Sequence, residues 1–201
     1  MIASPQPLVR MVVLAAGLST RLGSPKTLAR VRGTSLIRNT VRLLTPLGTS
    51  PIIVVIPARA VRVRAELRGL PVRFIENPRR AQGLSTSVHC GLAAAYPSAA
   101  VLLLPVDLAR LNRRDLARLL SRWRGSRRRL VATRFGRRGG APLIVPRWLC
   151  ARALAISGDR GLRELVSGLP AENRALLDLP TAAADVDTPQ DLERARRRSS
   201  R

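Results

Sequence analysis

Residues 14–26 read LAAGLSTRLGSPK and follow directly on the apolar run Leu8–Leu14. That run has the length and valine content of a buried strand. Beyond Leu14, the side chains of Ala15, Ala16 and Gly17 are too small to keep an anion off the backbone. The N–H groups of Ala15–Leu18 can therefore approach one closely. Arg21 and Lys26 bring positive charge to the same loop, and Gly23 and Pro25 set its bends. The stretch reads as a phosphate cradle with two cations at the carboxyl end of a strand, where open α/β sheets bind their ligands. It contains neither G-x-x-x-x-G-K-[ST] nor G-x-G-x-x-G. Lys26 is the only lysine among 36 basic residues. A compact ammonium on a flexible stem does what an arginine fork does not, so its retention points to a task. Chance survival in an arginine-biased chain is the competing account.

Thr34–Leu47 places Leu36, Ile37, Val41, Leu44 and Leu47 at helical spacing. Ile52–Ile56 is a second buried strand, Arg59–Leu67 a short amphipathic helix, and Val72–Ile75 a third strand. Gly83 permits a tight bend, and Ser85, Thr86 and Ser87 are N-cap candidates for a helix to about Tyr96. Ala99–Pro105 is the fourth strand. Asn112 can cap a helix that puts Leu116, Leu119, Leu120 and Trp123 on one face. Leu130–Phe135 and Pro142–Val145 read as two more strands joined by a flexible GRRGG segment. Alternating strands and helices predict an α/β fold of three layers around a Rossmann-like, mostly parallel sheet. Residues 9–195 form its single domain, between an N-terminal tail (1–8) and a basic C-terminal tail (196–201), the basic run itself beginning at Arg194.

The composition suits such a domain, with 46% hydrophobic residues in 201. The apolar runs are too short to cross a bilayer, and MIASPQPLVR lacks the pattern of a secretion signal. Cys90 and Cys150 are too few for a disulfide framework and lack metal-ligand spacing, so a cytoplasmic protein is expected. The net charge of +24 suits capture of anionic substrates. The arginines are spread over nearly the whole chain, and only 2% of residues are aromatic, which gives few platforms for stacking bases. A non-catalytic nucleic-acid binder is therefore the alternative from another class, not the leading reading.

Two acidic positions carry chemistry. Asp107, at the tip of the fourth strand, is well placed for a Mg²⁺ ligand, although an aspartate capping the next turn is equally ordinary. Near the end, Thr188 at N-cap, Pro189 at N1 and Asp191 at N3 make a strong helix start. That leaves Asp185 and Asp187 without a capping role in a chain poor in acids. No Ser–His–Asp set, Cys/His metal cluster or redox CxxC competes with these groups.

The pattern L-A-A-G-x-S-x-R-[LM]-G-x-x-K resembles the signature of the MobA-like nucleotidyltransferases, whose fold is that of the nucleotide-diphospho-sugar transferases. The two alanines before Gly17 look most like the molybdenum cofactor cytidylyltransferases; the guanylyl-transferring relatives usually carry L-A-G-G. Further segments extend the resemblance from about Met11 to Arg194. G-L-S-T-S-V-H-C-G-L is similar to the segment that closes over cytosine, with Gly83 and Ser87 at the positions that recognise the base. Asp107 matches the aspartate that binds metal and phosphates, although Leu108-Ala109 replaces the family's polar residue and proline. Gly140-Ala141-Pro142 fits a G-x-P beside the acceptor, with Arg137 and Arg138 in reach of it, and Gly158–Arg163 resembles G-D-R-G-x-R. Asp185–Leu192 matches D-[IV]-D-T-P-x-D-L, with Asp187 as the second metal ligand and Asp185 its rival.

The resemblance implies Mg²⁺-dependent transfer of CMP from CTP to the terminal phosphate of molybdopterin carrying molybdenum. Leu14, Ala15, Ala16, Gly17, Gly83 and Ser87 would bind the nucleotide, Arg21 and Lys26 would be catalytic, and Asp107 and Asp187 would hold the metal. An apoenzyme of the xanthine dehydrogenase type, or its chaperone, is the implied partner. A sugar or polyol phosphate is the alternative acceptor.

Overall fold

The computed structural model describes residues 9–19, 22–48, 50–155, 157–158, 161–183 and 185–197. Strand β1 (Val9–Leu14) lies in the middle of a sheet and is buried on both faces. Its side chains alternate between two cores: Met11, Val13 and Ala15 face one, and Val12, Leu14 and Ala16 the other. The period of two continues past the strand end into the loop. A strand covered on both sides reads as an unbroken apolar run, as this one does.

Six further strands complete the sheet: β4 (Ile52–Pro57), β5 (Val72–Asn77), β6 (Ala100–Pro105), β7 (Leu130–Phe135), β8 (Arg138–Pro146) and β9 (Arg174–Leu177). The spatial order is β5-β4-β1-β6-β8-β7-β9. Only β8 runs against its neighbours β6 and β7, so the sheet is mostly parallel, as expected. Helices α1 (Leu36–Leu44), α2 (Val61–Glu66), α4 (Arg113–Arg124) and α7 (Pro189–Arg197) cover the first core. Helices α3 (Leu84–Ala95), α5 (Arg147–Leu154) and α6 (Gly161–Ser167) cover the second. Two short strands, β2 (Arg30–Val31) and β3 (Thr34–Ser35), form a separate hairpin. Among the described residues no helix is long and apolar enough to cross a membrane.

Several local expectations are corrected. The first helix starts at Leu36 because Thr34 and Ser35 pair with β2, and Ser35 Oγ caps the helix by accepting from the Arg38 N–H at 3.3 Å. Helix α3 begins at Leu84 with Gly83 as its N-cap residue and no capping side chain. Ser85, Thr86 and Ser87 are therefore first-turn residues and not caps. Gly83 has φ +107°, a value that side-chain-bearing residues rarely adopt, so the bend before α3 depends on it.

The GRRGG segment is largely strand: β8 begins at Arg138, after a turn at Gly136. Its glycines answer close packing instead of flexibility, since a Cβ at Gly139 would lie 2.5 Å from Val166 Cγ1 of α6. Helix α7 continues to Arg197, so Arg194–Arg197 of the basic run are helical, and Arg196 Nε donates to the Arg30 carbonyl at 3.1 Å. Helix α5 and edge strand β9 have no counterpart in the sequence reading.

Helix α3 lies close on the sheet because of one residue. A Cβ built at Gly91 would stand 2.5 Å from Val12 Cγ1 and 3.5 Å from Val55 Cγ2. Both valines are buried, and their short branched side chains cannot swing away. Gly91→Ala is expected to lift α3 and destabilise the protein by about 1–3 kcal/mol, as overpacking does. A fall in Tm of about 5 °C, measured by differential scanning calorimetry, is the expected result. An unchanged Tm would mean that the helix slides without cost.

Candidate active site

The loop after β1 and the starts of α3 and α7 meet at the carboxyl end of β1 and β6, around a cavity of about 430 Å³. Leu14, Ala16, Gly17, Leu18 and Ser19 form one wall. Among the described residues no hydrogen bond engages the N–H groups of Ala16, Gly17 and Leu18. No protein atom lies within 4 Å of a Cβ built at Gly17, so this stretch of backbone is open. Ala15 does not belong to the wall. Its N–H donates to the Val55 carbonyl at 2.9 Å and its methyl group faces the opposite core. The strand's alternation continues through it, and that removes Ala15 from the predicted cradle. Arg21 lies outside the described residues.

Lys26 reaches the cavity from a single 3-10 turn, Lys26–Leu28. The turn is fastened by Ser19, whose Oγ accepts from the Lys26 N–H at 3.0 Å. Ser19 has φ +56° and faces the cavity. Ser19 stands in the motif without a task that local pattern reveals; its bond to Lys26 closes the loop. Lys26 Nζ donates to Asp107 Oδ2 at 3.0 Å and to Asp187 Oδ1 at 2.5 Å. These residues are 81 and 161 positions away, and only the fold brings them together. Burial of the ammonium opposes its charge. The Asp107 charge, with hydrogen bonds to both carboxylates, outweighs that burial and holds the pKa above the ordinary 10.5.

Asp107 follows β6 and lines the cavity. Its own carbonyl accepts from the N–H groups of Ala109 and Val186, at 2.9 and 3.0 Å, which ties the β6 tip to the segment before α7. The adjoining pair, Leu108 and Asp185, is an isolated antiparallel bridge and not a strand. Asp187 lines the cavity and Asp185 does not. Asp185 is exposed, and its carboxyl is pushed up to about 6 by partial desolvation, helped by the charges of Asp107 and Asp187. Solvent screens part of that shift at an exposed side chain.

The start of α7 has the predicted capping box. Thr188 Oγ1 accepts from the Asp191 N–H at 3.2 Å, and Asp191 Oδ2 accepts from the Thr188 N–H at 2.8 Å. Hydrogen bonds from Thr188 hold the Asp191 carboxyl down at about 2. Asp191 is thereby committed to the helix, which leaves Asp187 for the cavity.

The far wall comes from α3 and the turn before it: Arg80, Ala81, Gly83, Leu84 and Ser87. Gly83 and Ser87 thus face the same space as the β1 loop. Arg80, which sequence reasoning passed over, adds a cation here, and its Nη1 donates to the Gly17 carbonyl at 3.5 Å. In the sequence it is one of two arginines in NPRR, in a chain where arginine is everywhere; only its position distinguishes it. His89 faces away, and its Nε2 is buried without a partner among the described residues. Gly140, Ala141 and Pro142 lie in β8 and outside the cavity wall; the Pro142 carbonyl accepts from Thr133 Oγ1 at 2.9 Å.

The donor set suits a hard divalent cation. Two carboxylate oxygens already converge within 3.0 Å of one positive group. Mg²⁺ is commonly bound by one or two carboxylates, with waters and substrate phosphates completing the shell. Among the described residues no group of three His, Cys, Asp or Glu gathers to make an all-protein cage.

The chain is similar to known proteins in sequence and in fold. Over 195 residues the chain is 28% identical to a probable molybdenum cofactor guanylyltransferase of Rhodopirellula baltica, covering 94% of this chain and 92% of that one. Over 86 residues, 40% of this chain, it is 46% identical to a bifunctional IPC transferase and DIPP synthase of Rubrobacter xylanophilus. That match spans only 20% of the longer relative. The crystal structure of the Rv0371c homolog from Mycobacterium sp. strain JC1 superposes with a TM-score of 0.74 at 29% identity, covering 92% of this chain and 93% of that one. Residues 11–175, which carry the β1 loop, Lys26, α3 and Asp107, match the MobA-like NTP transferase domain, and the chain belongs to that family.

Proposed function

We propose that this nucleotidyltransferase moves CMP from CTP to the terminal phosphate of molybdopterin carrying molybdenum, with release of pyrophosphate. The single observation that carries the reading is the Lys26 ammonium held between Asp107 and Asp187 at the edge of a backbone-lined cavity. That is a charge arrangement for a triphosphate and its cation. The two-alanine form of the β1 loop and the serine at position 87 support cytosine over guanine.

The chemistry asks the protein for position and charge. An acceptor phosphate oxygen is already anionic near neutral pH, so no general base is needed. It attacks the α-phosphorus, and the bond to pyrophosphate breaks. The open N–H groups of Ala16–Leu18 donate to the triphosphate, Ser87 and Gly83 face the base, and Lys26 offsets charge as it spreads over the phosphoryl oxygens. Asp107 and Asp187 would hold a divalent cation, Mg²⁺ in this reading, which when bound polarises the phosphates and neutralises the leaving group. Arg21, on the same loop, would add a second cation. Residues 9–195 act as one catalytic domain in the cytoplasm, and a xanthine-dehydrogenase-type apoenzyme or its chaperone receives the product.

A second acceptor class, a sugar or polyol phosphate, is favoured by one observation: Leu108-Ala109 stands directly after Asp107, where the molybdopterin-directed pattern has a polar residue and proline.

The test is a thermal-shift panel with CTP, GTP, ATP and UTP, each with and without Mg²⁺. A ligand at a hundredfold excess over its Kd adds about 2.7 kcal/mol to folded-state stability. Selective stabilisation by Mg²⁺–CTP is the expected result. A preference for GTP would move the product to the guanine dinucleotide, and no shift with any nucleotide would overturn the reading.

A further inference from the structure

Asn77 closes β5 with no exposed surface, and its amide makes three hydrogen bonds. Oδ1 accepts from the Arg79 N–H at 3.0 Å. A backbone N–H can only donate, so this contact fixes which end of the amide is oxygen. Nδ2 therefore faces α3, 2.9 Å from Thr86 Oγ1 and 2.9 Å from Ser87 Oγ. Both amide hydrogens are committed, and both hydroxyl oxygens must accept.

The two hydroxyl groups differ in where their own hydrogen goes. Thr86 Oγ1 donates to the Gly83 carbonyl at 2.9 Å, with the Arg79 carbonyl at 3.2 Å. Ser87 Oγ has no carbonyl or carboxylate to donate to among the described residues. Ser87 is buried, with 4% of its surface exposed, and it lines the cavity that holds the β1 loop and Lys26. One lone pair is taken by Asn77, and the hydrogen is left for the cavity.

We infer that Asn77, by donating to Ser87, keeps the serine's own hydrogen available to the nucleotide cavity, so that the site favours a base presenting an acceptor there, as the N3 and O2 edge of cytosine does. With an acceptor at position 77 in place of this donor, Ser87 would turn its hydrogen away from the base. Asn77 does not itself line the cavity and reaches it only through Ser87. It is a positioning residue that acts through Ser87, and its role rests on the nucleotidyltransferase reading above.

The test is isothermal titration calorimetry of the full chain with two probes, Mg²⁺–CTP and Mg²⁺–tripolyphosphate, which has no base. Asn77→Asp keeps the shape and the bond to Arg79 but cannot donate as a carboxylate, so Ser87 turns its hydrogen inward. Asn77→Asp and Ser87→Ala should each weaken CTP about tenfold, the worth of one hydrogen bond, while tripolyphosphate stays within about twofold. Thr86→Val, which spares the Asn77–Ser87 bond, should leave both affinities as in the wild type. Should Asn77→Asp fail to fold, Asn77→Ala replaces it, with an expected loss of about threefold in the ratio of the two affinities. An unchanged ratio in the Asn77 variant, or equal loss of both probes, would overturn the inference, because a merely structural role moves both together. Wild-type protein that binds tripolyphosphate as tightly as CTP overturns base reading alone; wild type that binds neither overturns the nucleotidyltransferase reading with it.

Discussion

Lys26→Ala should reduce turnover by at least about 10²-fold, because in the proposed mechanism it removes the ammonium that would stabilise the charge developing as the nucleotidyl group transfers. Lys26→Arg should recover little of this. The ammonium lies between two carboxylates, 3.0 and 2.5 Å from their oxygens, a space that a planar guanidinium does not fill in the same way. The direction of the Lys26 pKa adds a second readout. The group stays charged well beyond neutrality, its folded value being raised above 10.5, so its charge is complete throughout the ordinary assay range. Wild-type turnover should therefore show no alkaline decline from Lys26 below about pH 10. Steady-state rates from pH 6 to 10 for the wild type and both variants test this. Near-normal turnover in Lys26→Ala would remove the residue from the mechanism.

Asp107→Asn should raise the Mg²⁺ concentration needed for half-maximal activity by at least about tenfold. The substitution preserves shape and takes away one of two converging negative charges, and changes even one shell further out cost 10–100-fold in metal affinity. Asp187→Asn should behave alike, since its Oδ1 stands at the other side of the same ammonium. Asp185→Asn is the control. Its side chain is exposed and outside the cavity wall, so its metal titration should stay close to wild type. A titration in Asp107→Asn that superposes on the wild type would exclude Asp107 as a ligand. An Asp185→Asn curve displaced like that of Asp107→Asn would give Asp185 the place assigned to Asp187.

The strands of the sheet were legible where local pattern and burial say the same thing. Val9–Leu14, Ile52–Pro57 and Ala100–Pro105 are buried on both faces, so their apolar runs are unbroken and their ends nearly coincide with the residues where polarity returns. The capping box of Thr188 and Asp191 was legible for the same reason: its hydrogen bonds span three residues. Strand β9 was not legible, because four residues at a sheet edge carry little pattern of their own and pair with β7, some 44 residues earlier in their register. Glycines 139 and 140 read as flexibility from sequence, and the fold uses the absence of a side chain to let α6 and Phe135 come close.

By itself the sequence determined the α/β class, the strand that ends in the LAAG loop, and the residue types needed for phosphate and metal chemistry. These rest on short-range physics: period, capping, small residues at a bend. Which of those residues share one cavity was decided only by tertiary structure. Ala15 and Ala16 are identical neighbours, yet the pleat turns Ala15 into the first core and Ala16 to the opposite face, where it also lines the cavity. Asp185 and Asp187 are alike in sequence, yet the bridge to Leu108 leaves Asp185 outside while Asp187 meets Lys26. Side-chain direction at a strand end and contacts across 161 positions depend on packing, and no local pattern encodes them.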